Sequence, residues 1–200
     1  PRYTRFRSSA ASDVYKRQMS ERISDHLPKT QKYLPKQRLW YIRANEVLIS
    51  SGSIERPLVF GNNDTPGVML SSAAKEYMKV YGVLVGKKPL IFTNNDSGYE
   101  TAIEFKKNGV NPIILDTRSD PSSDIIAEAK NLNIEIKFSH VVVAAKGYKK
   151  VKSADIAKIS DDKKELFNIE NIECDCICVS GFWTPSIHLS LIHISEPTRR

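Results

Sequence analysis

The sequence predicts an α/β fold built on a parallel sheet, and three observations support that class. Candidate strands occur at residues 87–92 (KKPLIF), 111–116 (NPIILD) and 134–139 (IEIKFS), and the first two contain short apolar runs. Continuous runs of this kind are typical of parallel strands that are buried on both faces. Segments with helical periodicity separate the runs, and a strand, a helix and a strand within about 30 residues form a right-handed crossover unit.

Two strands and one helix are predicted ahead of this unit. Residues 38–45 alternate between apolar and polar side chains, and residues 46–50 (EVLIS) form a more uniformly apolar strand. The helix is predicted within SSAAKEYMKVYG, residues 71–82, where Gly82 stands at the expected C-terminal stop. Its apolar positions fall on one helical face, and they are Ala74, Tyr77, Met78 and Tyr81.

Two further helices lie between the predicted parallel strands. The first is expected over residues 97–108 and is closed by Gly109. The second lies within residues 122–133, where either Ser122 or Ser123 is able to cap the first turn. Its apolar face consists of Ile125, Ile126, Ala129 and Leu132.

The pattern changes after the third parallel strand. Residues 140–159 favour two antiparallel strands around a glycine-containing turn, and residues 173–181 (ECDCICVSG) favour a last buried strand. The last strand carries three cysteines at the period of a strand, which predicts that all three thiols share one face. No second group of Cys or His with ligand spacing accompanies them, so we predict no metal site and interpret them as small buried hydrophobes. They are Cys174, Cys176 and Cys178.

Both ends of the chain differ from the body. Residues 8–18 (SSAASDVYKRQ) resemble the translation of a transposon-end adapter used to build sequencing libraries, and residues 189–199 resemble its reverse-complement partner. We therefore predict that residues 1–18 and 189–200 are adapter-like stretches, the first of them disordered, and exclude both from the fold.

This exclusion changes the electrostatic argument. The two end stretches carry formal charges of +4 and +1, so that only +2 of the total +7 belongs to the body. A near-neutral body argues against a nucleic-acid partner. No apolar run approaches the roughly 20 residues that span a bilayer, and no signal peptide precedes Met19, so we expect a soluble, cytoplasmic protein without a membrane partner.

The turn after the first crossover strand lies where a dinucleotide-binding fold has three glycines. In LIFTNNDSGYETAIEF, residues 90–105, only the third of these glycines is present, as Gly98. Gly98 would allow the helix to pack closely on the strand, whereas side chains at Thr93 and Asn95 are expected to intrude where phosphate oxygens would lie. Asp96 suits the positive end of the helix but repels a phosphate there. The pattern therefore predicts a nucleotide-binding shape with weakened anion binding.

One feature favours binding. Asp116 ends the second crossover strand, where a carboxylate would accept hydrogen bonds from an adenosine ribose. Asp116 is equally well interpreted as a turn residue at the end of a strand, beside Arg118. If the crevice does bind a dinucleotide, Arg118 would favour a ribose phosphate, so that the choice between NAD and NADP stays open. In the binding interpretation, Asp116 would act with the backbone amides of Asn95, Asp96, Ser97 and Gly98.

Three segments resemble the alpha subunit of heterotetrameric sarcosine oxidase. They are SSGSIERPLVFGNNDTPGVMLSSAAKEYMKVYG (50–82), FTNNDSGYETA (92–102) and VSGFWTPSIHL (179–189). The resemblance covers essentially residues 19–188. It implies a Rossmann-like parallel-sheet lobe of the pyridine nucleotide-disulfide oxidoreductase type, inserted in an incomplete first FAD/NAD-binding lobe.

The resemblance also implies a division of the chain. Residues 19–60 would be the C-terminal part of the first lobe, residues 61–165 the inserted lobe with its β-ribbon, and residues 166–188 a strand that returns to the first lobe. Cofactor contacts in the first lobe would come from Ser51, Gly52, Gly181, Trp183, Thr184 and Pro185. The family usually has two glycines before the tryptophan, whereas Phe182 takes the second position here.

The family's complex oxidises sarcosine to glycine and formaldehyde with O₂ as acceptor, and tetrahydrofolate is able to capture the one-carbon unit. The resemblance implies NAD in the alpha subunit, FMN and FAD elsewhere in the complete complex, and beta, gamma and delta subunits as partners. The histidines are scattered without a carboxylate or nucleophile at a motif spacing, so we predict no catalytic residue in this chain. The alternative is an NAD-binding subunit of a related amine, proline or opine dehydrogenase, with NAD held in the inserted lobe.

Overall fold

The structure is a computed structural model that describes residues 6–9, 15–25, 33–44, 50–160, 162 and 165–186. The chain divides into two compact units. The smaller comprises residues 1–52 and 186–200, and the larger comprises residues 53–185. The larger unit is therefore wider than the predicted inserted lobe of residues 61–165.

The described part of the smaller unit contains a three-stranded antiparallel sheet. Its strands are β1 (Phe6–Ser9), β2 (Tyr15–Arg22) and β3 (Gln37–Ala44), in that order across the sheet. Within the stretch predicted to be disordered, the backbones of residues 6–9 and 15–18 pair in the β1–β2 and β2–β3 ladders. Most of the predicted strand 46–50, and all of residues 189–200, lie outside the described residues.

The larger unit holds the remaining described strands and helices. In chain order they are β4 (Ser53–Arg56), β5 (Val68–Leu70), α1 (Ser71–Tyr81), β6 (Pro89–Thr93), α2 (Ser97–Lys107), β7 (Ile113–Asp116), α3 (Asp124–Asn131), β8 (Glu135–Phe138), β9 (His140–Lys146), β10 (Ser153–Ile159), β11 (Leu166–Glu173), β12 (Cys176–Ser180) and β13 (Phe182–Pro185).

A five-stranded parallel sheet forms the centre of this unit, in the order β5-β12-β6-β7-β8. Every residue of β6 and β12 is buried, which explains why these strands are continuously apolar or small. The predicted α/β class with a parallel sheet is confirmed. The helix α1 ends at Gly82, whose φ of 63° is left-handed as predicted.

Two layers cover the sheet. The helices pack on one face around Ile91, Tyr99 and Phe105. On the other face, Phe92 and Ile156 belong to a second core that includes the β9–β10 ribbon. The ribbon is antiparallel as predicted, and β11 joins it as a third strand that the sequence pattern did not reveal.

The strand β12 lies elsewhere than the resemblance implied. It was expected to return to the first lobe, but its backbone pairs in parallel with β5 and β6 inside the sheet of the larger unit. The prediction that all three thiols share one face is also wrong. Cys176 and Cys178 pack in the helical core and Cys174 packs in the ribbon core, since Cys174 precedes the start of β12 and escapes its alternation.

Two local expectations about helices are corrected as well. The buried face of α1 consists of Ser71, Ala74 and Met78, whereas Tyr77 and Tyr81 are 45% and 66% exposed. Ser123 occupies the N-cap position of α3 but makes no capping hydrogen bond through its side chain.

A candidate dinucleotide crevice closed by its own turns

The connections of the sheet define where a ligand would bind. From β6 the chain crosses through α2 to β7 on one side, whereas β12 lies on the other side of β6. Ligands of open α/β sheets bind at the carboxyl ends of the strands, at the point where the connections diverge. The candidate crevice therefore lies between the turn that follows β6 and the turn that follows β12.

Thr93 ends β6 with its side chain turned inward. It is fully buried, and its Oγ1 accepts the backbone N–H of Asn95 at 3.1 Å and donates to the carbonyl of Asn95 at 2.8 Å. The expectation that Thr93 intrudes toward a phosphate is therefore wrong. A Cβ at Gly98 would lie 2.7 Å from the Thr93 Cβ, so the packing of α2 on β6 requires the glycine, as predicted.

Asn95 occupies the amide that a phosphate would use. Its Oδ1 accepts the backbone N–H of Ser97, the first residue of α2, at 2.9 Å. Its Nδ2 donates to the carbonyl of Gly181 at 2.7 Å, so the side chain is held from both ends. A first-turn amide at the positive end of a helix is the usual partner of a bound anion, and here an uncharged oxygen of the chain takes that place.

The turn after β12 completes the closure. The hydroxyls of Ser97 and Ser180 lie 2.8 Å apart, and the Trp183 Nε1–H donates to the Ser97 Oγ at 3.2 Å. The backbone N–H of Asn94 donates to the Ser180 carbonyl at 3.3 Å. We name this set of contacts the clasp, and it consists of Asn94, Asn95, Ser97, Ser180, Gly181 and Trp183.

The residues around Trp183 belong to a two-stranded ribbon of β4 and β13. Gly181 donates its N–H to the Arg56 carbonyl at 2.8 Å, and a Cβ there would lie 2.6 Å from the same oxygen, so the glycine permits this close approach. Phe182 is 56% exposed and does not obstruct it. Arg56 Nε donates to the Thr184 Oγ1 at 3.1 Å, and Pro185 lies opposite Ser53 in the ladder.

Asp116 is fully buried at the end of β7, and its carboxylate is engaged within the chain. It accepts hydrogen bonds from the Tyr99 hydroxyl at 2.7 Å, the Arg118 backbone N–H at 2.9 Å and the Arg118 Nη2 at 2.8 Å. Arg118 also contacts Asp96, with 2.8 Å between Nη1 and Oδ1. These contacts match the strand-end interpretation of Asp116, and its predicted contact to a ribose stays a prediction.

The same contacts shift two pKa values. Burial raises the pKa of Tyr99 well above its usual range, and the hydrogen bond to Asp116 and the negative charge of that residue raise it further. Burial alone would lower the pKa of Arg118, but its hydrogen bonds to Asp116 and Asp96 outweigh that effect and raise it. Tyr99 thus stays neutral and Arg118 charged, which suits a stable internal ion pair.

Ser51 and Gly52 lie in the smaller unit, where both contact Ser186. The Ser51 hydroxyl donates to the Ser186 carbonyl, and the Ser186 N–H donates to the Gly52 carbonyl at 2.9 Å. Gly52 has a φ of 68°, which a glycine adopts without strain. Their predicted role toward a cofactor stays a prediction.

Sequence reasoning missed two partners of the crevice, Tyr99 and Ser180. Ser180 was recognisable as the polar residue that ends an apolar strand, whereas the Tyr99 contact depends on helix packing. Within the described ranges, no three His, Cys, Asp or Glu side chains group to hold a metal ion. Among the described helices, none is long and apolar enough to cross a membrane.

The chain has the fold seen in thioredoxin reductases. The structure resembles thioredoxin reductase of T. acidophilum with a TM-score of 0.65 and 15% identity, covering 92% of this chain and 54% of that one. It resembles thioredoxin reductase of Lactococcus lactis with a TM-score of 0.64 and 12% identity, covering 96% and 56%. No protein-family model matches the chain.

The comparison of sequences identifies the family more narrowly than the comparison of structures does. The chain is 36% identical over 178 residues to the sarcosine oxidase subunit alpha of Rhizobium meliloti (strain 1021), which covers 88% of this chain and 17% of the relative. It is 33% identical over 156 residues to that of Corynebacterium sp. (strain P-1), which covers 77% and 16%. The chain thus matches a segment of the sarcosine oxidase alpha subunit and spans about a sixth of these relatives' length, which confirms the resemblance seen in the sequence.

Proposed function

We propose that this chain is part of the alpha subunit of a sarcosine-oxidising complex, in which residues 53–185 are a scaffold lobe. The complex would convert sarcosine to glycine and formaldehyde with O₂ as acceptor, and pass the one-carbon unit to tetrahydrofolate. Amine oxidation would take place on another subunit. The identity to two alpha subunits over 77–88% of the chain supports this assignment.

The observation that carries the scaffold role is the clasp. A dinucleotide needs free amides at the start of α2 for its diphosphate, but Asn95 already accepts the Ser97 amide hydrogen and Trp183 lies against the Ser97 hydroxyl. A ribose needs free carboxylate oxygens, but Asp116 is fully buried with Tyr99 and Arg118. The residues present therefore do not fit NAD in this crevice.

NAD would instead lie in the first lobe, to which Ser51 and Gly52 would contribute. FMN and FAD would belong to the complete complex, with beta, gamma and delta subunits as the partners of this one. The domain division read from the resemblance is retained as part of this proposal, with β12 moved into the sheet of the larger unit. A cytoplasmic location stays a prediction of the sequence.

Two assays on the 200-residue chain test the proposal. Sarcosine turnover, followed as formaldehyde or hydrogen peroxide release, should be zero without any other subunit, and measured turnover by the chain alone would defeat the scaffold role. Calorimetric titration with NAD should show binding that is absent or millimolar, and unchanged by Asp116→Ala. Tight binding that Asp116→Ala abolishes would favour the alternative, an amine, proline or opine dehydrogenase subunit that holds NAD in this lobe.

A further inference from the structure

The β4–β13 ribbon pairs one residue of the clasp with a buried carboxylate. Glu55 of β4 lies directly opposite Trp183 of β13. Residues directly opposite each other in an antiparallel pair project from the same face of the ribbon. Glu55 is the buried residue of β4, with 5% of its surface exposed, so this face is the one that meets the rest of the larger unit.

Glu55 reaches the N-terminus of α1. Its Oε2 accepts the backbone N–H of Ser72, the second residue of that helix, at 2.9 Å. The helix has no acidic residue in its own first turn, and Leu70 at the N-cap position has no side chain able to accept a hydrogen bond. The Glu55 carboxylate is therefore the anion that this helix terminus receives.

The same end of the helix holds buried polar atoms without a partner. Among the described residues, neither the Glu55 Oε1 nor the Ser71 Oγ has a hydrogen-bond partner, although Ser71 is fully buried. A buried acceptor without a donor is costly, on the order of 1–3 kcal/mol. Glu55 thus caps the helix terminus with its Oε2 and leaves its Oε1 without a hydrogen bond.

Trp183 reaches the N-terminus of α2 from the opposite strand. Its indole N–H donates to the hydroxyl of Ser97, the first residue of α2. One register pair of one ribbon therefore contacts the starts of both helices that follow β5 and β6. A helix start is where backbone amides and the helix dipole would bind a negatively charged group.

We propose that the β4–β13 ribbon is an intramolecular plug, in which Glu55 caps the start of α1 and Trp183 covers the start of α2 beside Asn95, and that a diphosphate is the class of ligand it excludes. The inference deepens the proposed scaffold role, because it names the element that keeps the crevice shut. The lobe without its plug and without the Asn95 side chain, which accepts the Ser97 amide hydrogen, would regain affinity for a diphosphate, although it lacks two of the glycines typical of such sites.

The test places the double variant Glu55→Ala/Trp183→Ala in a chain that also carries Asn95→Ala, and uses inorganic pyrophosphate as the probe. Thermal unfolding of the wild type, and of Asn95→Ala alone, should not respond to pyrophosphate. The Tm of the double variant should rise by about 4 °C at a tenfold excess of pyrophosphate over its Kd, because a ligand that binds only the folded state stabilises it. Phe182→Ala is the matched control, since it removes the neighbouring aromatic side chain of the same strand, which points to the opposite face.

A folded double variant that ignores pyrophosphate would overturn the plug, as would a wild-type or Asn95→Ala chain that responds equally. If the double variant does not fold, hydrogen exchange of the Ser72 amide in Trp183→Phe decides. Exchange faster than in the wild type supports a single plug, because Trp183 does not contact Ser72 directly and acts through the ribbon. Unchanged exchange refutes it. Tight NAD binding by the wild type would refute the scaffold role itself, so the two failures are distinguishable.

Discussion

Replacing Tyr99 by phenylalanine isolates the contact that holds α2 to the end of β7. The substitution removes one hydroxyl, whose hydrogen bond to the Asp116 Oδ2 measures 2.7 Å, and keeps the ring that fills the helical core. Both residues are fully buried, so water cannot replace the lost donor.

The expected loss follows from the charge of the acceptor. A hydrogen bond to a charged group contributes about 1.5–3 kcal/mol, and Arg118 still neutralises the carboxylate, so we expect the free energy of unfolding to fall by about 2 kcal/mol. For a unit of the size of residues 53–185, this corresponds to a decrease in Tm of about 6 °C.

The pH dependence of this loss has a definite sign. The pKa of Tyr99 is raised in the folded state by burial and by Asp116, so the stabilisation is complete below the pKa of an unfolded tyrosine, about 10, and is lost as the pH rises above it. The difference in unfolding free energy between wild type and Tyr99→Phe should therefore shrink above that pH, by about 1.4 kcal/mol per pH unit.

Urea unfolding followed by circular dichroism at neutral and at alkaline pH measures both quantities. Tyr81→Phe is the control, because Tyr81 is 66% exposed on α1 and its loss should change stability by less than about 0.5 kcal/mol. Equal stability of Tyr99→Phe and wild type at neutral pH, or a difference that stays constant up to high pH, would refute the reasoning.

Three further predictions concern single residues of the larger unit. Gly98→Ala should lower stability by about 1–3 kcal/mol in urea unfolding, because its Cβ would meet the buried Thr93 Cβ at 2.7 Å; a stability equal to wild type would show that α2 moves freely on β6. Asp175→Ala should cost about 2 kcal/mol in the same assay, since its carboxylate accepts two backbone N–H groups of the loop before β6 at 2.8 Å each, and a neutral effect would contradict that anchoring. The pKa of Asp155 is lowered by its hydrogen bonds to Lys146 and Asn171, so its contribution is present above the unfolded pKa of about 3.9 and lost as the pH falls. An NMR titration should find its midpoint below that of a free aspartate, and Lys146→Ala should raise it; an unchanged midpoint would contradict the pairing.

Much of the fold was predictable because its signals are local. The strands β6 and β7 read as apolar runs since a strand buried on both faces has no polar alternation, and Gly82 marks the end of α1 by its own backbone preference. The place of β12 was not predictable, because its partner β6 lies more than 80 residues earlier in the chain. The sequence of a strand indicates whether the strand is buried, but it does not indicate which other strands it pairs with.

The candidate site was likewise predictable only where its signals are local. The loss of two glycines after β6 was visible in the sequence and predicted weak anion binding. The sequence attributed this weak binding to side chains that intrude on a phosphate. Thr93 does not intrude, because its side chain turns inward and packs against Gly98. Asn95 and Trp183 close the crevice through contacts with residues 86 positions away, which no local pattern contains.

The sequence by itself determined the class of fold, the family that the chain matches and the weakness of its nucleotide-binding turn, because composition, periodicity and glycine positions act over a few neighbouring residues. The tertiary structure decided which groups occupy that turn. It places Ser180, Gly181 and Trp183 beside the start of α2 and aligns Glu55 with Trp183 in one ribbon. The physical reason is that hydrogen-bond partners are chosen by the packing of the sheet, which joins residues far apart in the chain.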